Sequence, residues 1–160
     1  MILASSSPRR RELLTQIGVR FRIQAADIDE TPFADEPAVA YVERMALEKA
    51  RKVAEGHSQE VILGSDTSVI FNGEILGKPV NNREAEETLQ RLSGQTHQVL
   101  SAVAVVQGDR EKVVSVATEV TFRSLSDEEI TRYVATGEPA DKAGSYGIQG
   151  MGAILVAGIS

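Results

Sequence analysis

The pattern of apolar and polar residues predicts helices and strands that alternate along the whole chain. The strongest helical pattern runs from Ala38 to about Glu55, where apolar residues recur every three or four positions and Gly56 follows. A second helix is predicted from Ser7-Pro8 to about Ile17, with serine at the N-cap and proline at the first helical position. Further helices are predicted over Asn82 to Leu92 and from Ser126 onward.

The segments between these helices have patterns that predict strands. They are Ile2-Leu3-Ala4, Arg20 to Ala25, Val61-Ile62-Leu63, Thr67 to Leu76 folded around Asn72-Gly73, Gln98 to Val106, Lys112 to Phe122, and a last apolar run from Ala153 to Ala157 after a glycine-rich loop at 137–152. Hairpins join some strands and helices join others. We therefore predict one α/β domain over residues 1–160, with a mixed twisted sheet flanked by helices.

Composition narrows the class of protein. The chain has 160 residues, of which 42% are hydrophobic and 25% charged, as in ordinary globular proteins. It has no cysteine, which excludes disulfides, thiolate nucleophiles and cysteine-based zinc sites. The N-terminus lacks the charge order of a signal peptide, and no apolar stretch approaches the roughly 18 residues of a membrane span. We expect a cytoplasmic protein that does not bind membranes.

The net charge is −6, which argues against a nucleic-acid partner because such binding needs a broad basic surface. An anionic small molecule would need a local convergence of basic groups or a bridging metal ion. One such cluster follows the first strand, where Ser7, Arg9 and Arg10 stand at a predicted helix start that favours anions. This segment is either a phosphate site or a capped helix with solvated arginines.

Lys49 and Asp66 also stand out from their surroundings. Lys49 lies in line with the apolar stripe of its helix, so it either extends to the protein surface or meets a buried anion, the former being commoner. Asp66 follows a buried strand through Gly64-Ser65, where a carboxylate suits a general base or a metal ligand. Capping of the next turn is the alternative interpretation.

Three other residues complete the candidates. Glu30, in an acidic loop, is a second carboxylate for Mg²⁺ or Mn²⁺, although such loops are more often merely solvated. Lys78 follows Gly77 and offers a point charge to a phosphate. Gln149, in the glycine-rich loop, carries an amide that suits a nucleobase edge, and a structural turn is the alternative. His57 and His97 lack catalytic partners at suitable spacing and are predicted to be structural.

Six motif segments follow one another over essentially the whole chain. They are Leu3-Ala4-Ser5-Ser6-Ser7-Pro8-Arg9-Arg10, Glu48-Lys49-Ala50, Gly64-Ser65-Asp66-Thr67, Gly77-Lys78-Pro79, Ser93-Gly94-Gln95-Thr96-His97 and Ala143-Gly144-Ser145-Tyr146-Gly147-Ile148-Gln149-Gly150. In this order they resemble the Maf family of nucleoside triphosphate pyrophosphatases. The last segment resembles the members that act on dTTP and UTP. The resemblance implies a Maf/ITPase-like fold and hydrolysis to the monophosphate plus pyrophosphate with a divalent cation, Mg²⁺ or Mn²⁺.

The resemblance also implies roles for individual residues. By motif position Asp66 is the proton acceptor for the attacking water, and three residues shape base selectivity: Arg9, Thr67 and Gln149. The family's remaining polar cleft positions fall on Ser7, Arg10, Glu30, Lys49 and Lys78. Among these we assign Lys49 and Lys78 to catalysis, Ser7 and Arg10 to substrate binding, and Glu30 with Asp66 to the metal.

The chain departs from the family in two places. Ser65 stands where members usually have alanine, and the sequence stops at Ile159-Ser160, where relatives continue with a Gly-Leu-Pro turn and a C-terminal helix. We expect that last part of the family fold to be missing here. A homodimer is expected from the resemblance alone. The alternatives to the enzyme are a nucleotide-sensing regulator linked to cell division and a same-family enzyme specific for 7-methyl-GTP.

Overall fold

Four α-helices begin and end close to the predicted positions. The computed structural model describes residues 1–160, with α1 at Pro8–Gln16, α2 at Ala38–Ala54, α3 at Asn82–Leu92 and α4 at Asp127–Ala135. Side chains cap three of them, because Ser7, Asn81 and Ser126 each accept a hydrogen bond from a backbone N–H in the first turn. No helix is both long and apolar enough to cross a membrane.

Seven strands form one mixed sheet. They are β1 at Ile2–Leu3, β2 at Arg22–Ile23, β3 at Ile62–Phe71, β4 at Glu74–Leu76, β5 at Thr96–Gln107, β6 at Arg110–Phe122 and β7 at Val156–Ile159. The order is β2-β1-β3-β5-β6-β7, with β4 paired to β3. β1 is parallel to both β2 and β3, whereas β4 and β7 are antiparallel to β3 and β6. The predicted class, a mixed sheet flanked by helices, is confirmed.

Three local predictions were wrong. The strand predicted over Arg20 to Ala25 is reduced to two residues, both exposed, so its alternating pattern does not mark a buried face. The segments Val61 to Leu63 and Thr67 to Leu76 are not separate strands with a loop between them, since β3 runs unbroken from Ile62 to Phe71. The glycine-rich stretch contains three short 3₁₀ helices, at Glu138–Asp141, Ala143–Ser145 and Met151–Leu155, and the last displaces β7 toward the C-terminus.

The chain packs as two compact units. The first contains residues 1–66 and 101–116, and the second contains residues 67–100 and 117–160. β3, β5 and β6 contribute residues to both. Because this division describes packing and not independent folding, the expectation of a single domain stays a prediction.

In the first unit, α2 supplies the buried apolar stripe that its periodicity predicts. Val42, Met45, Ala46, Ala50 and Val53 are almost fully buried, together with the strand residues Ile2, Leu3 and Ile62. Burial of each large side chain removes apolar surface from water and contributes about 1.5–3 kcal/mol. This packing fixes the helix against β3, which matters for the charged residues described below.

In the second unit, α3 and α4 share a core with the strands. The buried members on the helices include Leu89, Leu92, Ile130 and Tyr133, and Phe122 and Tyr146 pack with them. The rings of Phe122 and Tyr146 meet edge to face with their centroids 4.8 Å apart, a favoured arrangement for aromatic pairs.

Candidate active site

Asp66 lies in the middle of β3, between two stretches of pairing. Residues Ile62 and Leu63 pair with β1, and residues 69–71 pair with β4. β1 is short because the chain turns away after Ala4, whose N–H donates to the Leu63 carbonyl at 2.8 Å. The Asp66 side chain is nevertheless buried. The expectation that Asp66 follows a strand end, and its alternative as a turn cap, are both wrong: it is a mid-strand residue.

Gly64 explains why α2 approaches this part of β3 so closely. A Cβ at position 64 would collide with the carbonyl oxygen of Ala46 and would lie 2.9 Å from the backbone nitrogen of Ala50. Only a residue without a side chain permits that approach. Successive strand residues alternate between faces, so Gly64 and Asp66 share one face of β3, the face on which α2 packs.

Lys49 of α2 meets two carboxylates. Its Nζ donates to Asp66 Oδ1 at 2.9 Å and lies 3.0 Å from Glu30 Oε1. The side chains of Lys49 and Asp66 are only 14% and 11% exposed, whereas that of Glu30 is 55% exposed. Of the two outcomes considered for this lysine, the structure shows the contact with a buried anion, Asp66. An ammonium group that contacts two carboxylates where little water is present makes strong, directional interactions with them.

Two α2 residues that the sequence did not single out fix the acidic loop carrying Glu30. Tyr41 Oη donates to the Glu30 carbonyl at 2.6 Å, and Arg44 grips the Glu36 carboxylate with two hydrogen bonds of 2.7 and 2.8 Å. The Arg44 guanidinium also lies 3.8 Å from the centre of the Phe33 ring. Burial, together with the Asp66 and Glu30 charges, raises the pKa of Tyr41 to about 12. The loop is therefore anchored and not merely solvated.

Arg10 is the member of the arginine cluster that turns inward. Its Nη1 donates to Ser5 Oγ at 3.1 Å. Burial lowers the pKa of Arg10, while the negative charges of Asp66 and Glu30 oppose that shift, which places the guanidinium in the field of both carboxylates. Ser5 is itself buried; the sequence analysis placed it in the first motif segment but gave it no role of its own.

Ser7 and Arg9 occupy different positions from Arg10. Ser7 Oγ caps α1 by accepting from the Arg10 N–H at 3.4 Å. Arg9 is exposed on the helix and lies 3.5 Å from Glu12. The cluster thus contains the capped helix and the solvated arginine of one interpretation, while Arg10 turns toward Ser5, and phosphate binding by the cluster stays a prediction.

The remaining predicted residues belong to the second unit. Thr67 follows Asp66 on β3 with its side chain on the opposite face, Lys78 lies in the segment after β4, and Gln149 lies in a turn; all three are exposed.

His97 is buried, with its Nε2 2.6 Å from Tyr146 Oη, and burial lowers its pKa to about 4. His57 lies 2.9 Å from both Gln24 and Glu60. The histidines have the structural surroundings predicted for them.

The donor set at Lys49 fits a hard divalent cation. Glu30 and Asp66 both contact the ammonium group of Lys49, so an oxygen of each carboxylate lies close to the same point. No group of three or more potential protein ligands is present. Mg²⁺ is commonly held by one or two carboxylates, with water and substrate phosphates completing its shell, so two carboxylates suffice.

These features define an α/β protein whose first unit carries a lysine, an arginine and two carboxylates at one place. The Maf-like protein family model matches residues 1–160, so the chain belongs to the Maf family. It is 54% identical over 159 residues to a Myxococcus xanthus protein named dTTP/UTP pyrophosphatase, covering 99% of this chain and 81% of that protein. A Symbiobacterium thermophilum protein of the same name is 54% identical over 161 residues, covering 100% and 82%.

Among solved structures, the Staphylococcus aureus Ham1 protein resembles this chain in fold. The TM-score is 0.56 at 15% identity, and the match covers 76% of this chain and 70% of that one. At this identity the likeness concerns the fold alone, and it agrees with the predicted Maf/ITPase-like architecture.

Proposed function

We propose that this protein hydrolyses dTTP and UTP, in standard or modified form, at the anhydride between the α and β phosphates. Water supplies the oxygen for the new P–O bond, and the products are the nucleoside monophosphate and pyrophosphate. The observation that carries the proposal is the contact of Lys49 with both Asp66 and Glu30, close to Arg10. Relatives 54% identical to this chain bear the name of that activity.

Positively charged side chains in this protein can offset the negative charge of the substrate. A nucleoside triphosphate carries about four negative charges, and phosphoryl transfer relies mainly on positioning and charge stabilisation. In a protein with a net charge of −6, the half-buried Arg10 and Lys49 provide local positive charge. We assign phosphate binding to them, and to Lys78 and Ser7 as further contributors.

Asp66 has the properties needed in a proton acceptor. Its Oδ1 accepts a hydrogen bond from Lys49 Nζ, which fixes the orientation of the carboxylate. An ionised carboxylate can take the proton from the attacking water while the bond to the pyrophosphate oxygen breaks. Arg9, Thr67 and Gln149 are assigned to base selectivity. All three are exposed and carry polar hydrogen-bonding groups.

Glu30 and Asp66 would hold a divalent cation, Mg²⁺ or Mn²⁺. When bound, such an ion neutralises charge that develops on the phosphate oxygens. Lys49 contacts both carboxylates and so keeps them at one place. A metal-dependent hydrolase is the form of the proposal that these residues support.

The test is a turnover assay against a panel of nucleoside triphosphates with Mg²⁺ or Mn²⁺, in which chromatography resolves the products. We expect monophosphate plus pyrophosphate, formed fastest from dTTP or UTP. Asp66→Asn, which keeps the shape, should lower kcat by about 10²-fold or more while nucleotide binding remains. Asp109→Asn, at the exposed turn between β5 and β6, is the matched control.

Other outcomes would overturn parts of the proposal. Preference for 7-methyl-GTP would refute the assigned substrates but not the reaction. Nucleotide-dependent thermal stabilisation without turnover would favour a sensing regulator, because a ligand that binds the native state raises stability even when no chemistry follows.

A further inference from the structure

The carboxylate of Glu138 organises the loop that carries Gln149. Glu138 begins the 3₁₀ helix after α4, and its oxygens accept hydrogen bonds from Tyr133 Oη at 2.6 Å, from Met151 N at 2.9 Å and from Gly152 N at 3.0 Å. Tyr133 Oη in turn accepts from the N–H of Gly147 at 3.1 Å. The two side chains therefore bind backbone amides on both sides of Gln149. We call Tyr133 and Glu138 together the loop clamp.

The clamp is closely packed against the glycines of this loop. A Cβ at Gly150 would lie 2.5 Å from Glu138 Oε2, and a Cβ at Gly152 would lie 2.7 Å from Tyr133 Oη. Real Cβ atoms do not approach other atoms so closely. Gly150 thus leaves room for the Glu138 carboxylate, and Gly152 leaves room for Tyr133 Oη and for the Gly147 carbonyl oxygen, which would lie 2.5 Å from an added Cβ.

The charge states of the clamp agree with this hydrogen bonding. Burial acts to raise the pKa of Glu138, but hydrogen bonds from Tyr133 and from the Gly152 and Met151 amides lower it overall, so the carboxylate is ionised at neutral pH. Burial raises the pKa of Tyr133, so the phenol stays protonated and donates a hydrogen bond to Glu138. The three hydrogen bonds that this ionised carboxylate accepts are stronger than those a neutral group would accept.

Gln149 lies between the clamped amides and is exposed. The loop 147–152 is thereby held at both ends, while the side chain of its central residue is exposed. An amide side chain distinguishes nucleobases only if its donor and acceptor are held in a defined orientation, because hydrogen bonds weaken steeply with misalignment.

We propose that Tyr133 and Glu138 are positioning residues for nucleobase selection, acting by holding the loop that presents Gln149. This inference rests on the proposed function and assigns a structural origin to its specificity. Neither residue needs to touch the nucleotide. Their removal is expected to change which base is preferred and not to change the chemical step.

The first test compares Glu138→Gln with the wild-type enzyme. The substituted amide replaces one carboxylate oxygen by an NH₂ group that must face a donor, so one clamped N–H loses its acceptor. We expect KM for dTTP and UTP to rise about tenfold with kcat within about twofold, since only binding is affected. Glu128→Gln, on the exposed face of α4, is the charge-matched control and should leave both constants unchanged.

Coupling to Gln149 separates positioning from general destabilisation. If the clamp acts through Gln149, Glu138→Gln should lower the preference for dTTP over dATP about tenfold in the wild-type background and have no further effect on it in Gln149→Ala. An equal loss in both backgrounds, or an unchanged preference, would overturn the proposal. Tyr133→Phe, which removes a donor to Glu138 and an acceptor for Gly147, should act in the same direction.

Hydrogen exchange tests the clamp independently of turnover. In Glu138→Gln, the amides of Met151 and Gly152 should exchange about tenfold faster relative to that of Leu89 in α3, measured in the same sample. Unchanged relative exchange would refute the clamp even in an active enzyme. A wild-type protein without turnover would refute the proposed function, and this exchange measurement would still decide whether the clamp exists.

Discussion

The Nζ of Lys49 lies 2.9 Å from Oδ1 of Asp66, and this ion pair links the middle of α2 to the middle of β3. Both residues are mostly buried, so removal of either leaves a charge in a poorly hydrated place. Because Glu30 shares the same ammonium group, the three residues form one electrostatic unit. Their properties should change together, which makes the arrangement open to test by single substitutions.

Lys49→Met keeps most of the length of the side chain and removes its charge. We expect the free energy of unfolding to fall by about 3 kcal/mol, because the buried Asp66 carboxylate loses its contact with the ammonium group, and the affinity for dTTP to fall about tenfold. Denaturant unfolding and titration calorimetry measure the two effects. Lys52→Met, on the exposed side of α2, is the control and should cost less than about 1 kcal/mol. A loss of stability with unchanged nucleotide affinity would contradict a binding role for Lys49.

Gly64→Ala tests whether the close approach of α2 places Lys49. The added methyl group would collide with the Ala46 carbonyl and force the helix away from β3. We expect a loss of about 2–3 kcal/mol in the free energy of unfolding and a lower kcat. Gly56→Ala adds the same atom where nothing lies within 4 Å and should be neutral in both measurements. Equal behaviour of the two variants would show that the approach is not constrained.

Glu30→Gln tests the assignment of the divalent cation. The substitution removes one anionic oxygen donor and leaves Asp66 in place, so we expect the half-saturating concentration of Mg²⁺ to rise about tenfold. Mn²⁺ binding, followed by electron paramagnetic resonance without substrate, should weaken in parallel. The exposed Glu55→Gln is the control. Unaltered cation binding by the Glu30 variant would remove this residue from the metal site.

His97 makes stability depend on pH. Burial lowers its pKa from 6.5 to about 4, so between these values the unfolded chain binds more protons than the folded one. Stability is therefore complete above about pH 7 and falls as pH decreases toward 4, by roughly 3 kcal/mol from this group. Thermal unfolding at several pH values should show a shallower acid dependence in His97→Gln. An unchanged acid dependence in His97→Gln would contradict this assignment.

The helices and the class of fold could be predicted from the sequence because their signals are local. Capping residues such as Ser7 and Ser126 and the spacing of apolar residues in α2 act within a few positions of the chain. β3 was divided wrongly because Gly64 and Ser65 resemble a turn in sequence. The glycine is required there by the backbone of α2, which lies more than ten residues away along the chain.

The candidate site was predicted in its residue types but not in its contacts. The apolar stripe drew attention to Lys49, the end of a predicted strand to Asp66 and the acidic loop to Glu30, while Tyr41 and Arg44 went unnoticed because an ordinary amphipathic helix contains such residues. Their function as anchors of the Glu30 loop depends on where a distant loop returns to the helix. Glu138 was missed for the same reason, since its partners Met151 and Gly152 are backbone amides, which no residue type identifies.

By itself, the sequence determined the elements with short-range signals, the excess negative charge and the order of the motifs that place the chain in the Maf family. The tertiary structure alone decided that Lys49 meets Asp66 instead of solvent, that Arg10 and not Arg9 turns inward, and that Glu138 holds the Gln149 loop. The physical reason is the range of the interactions along the chain. Capping and periodicity act between neighbouring residues, whereas burial and charge pairing depend on which distant segments pack together and exclude water.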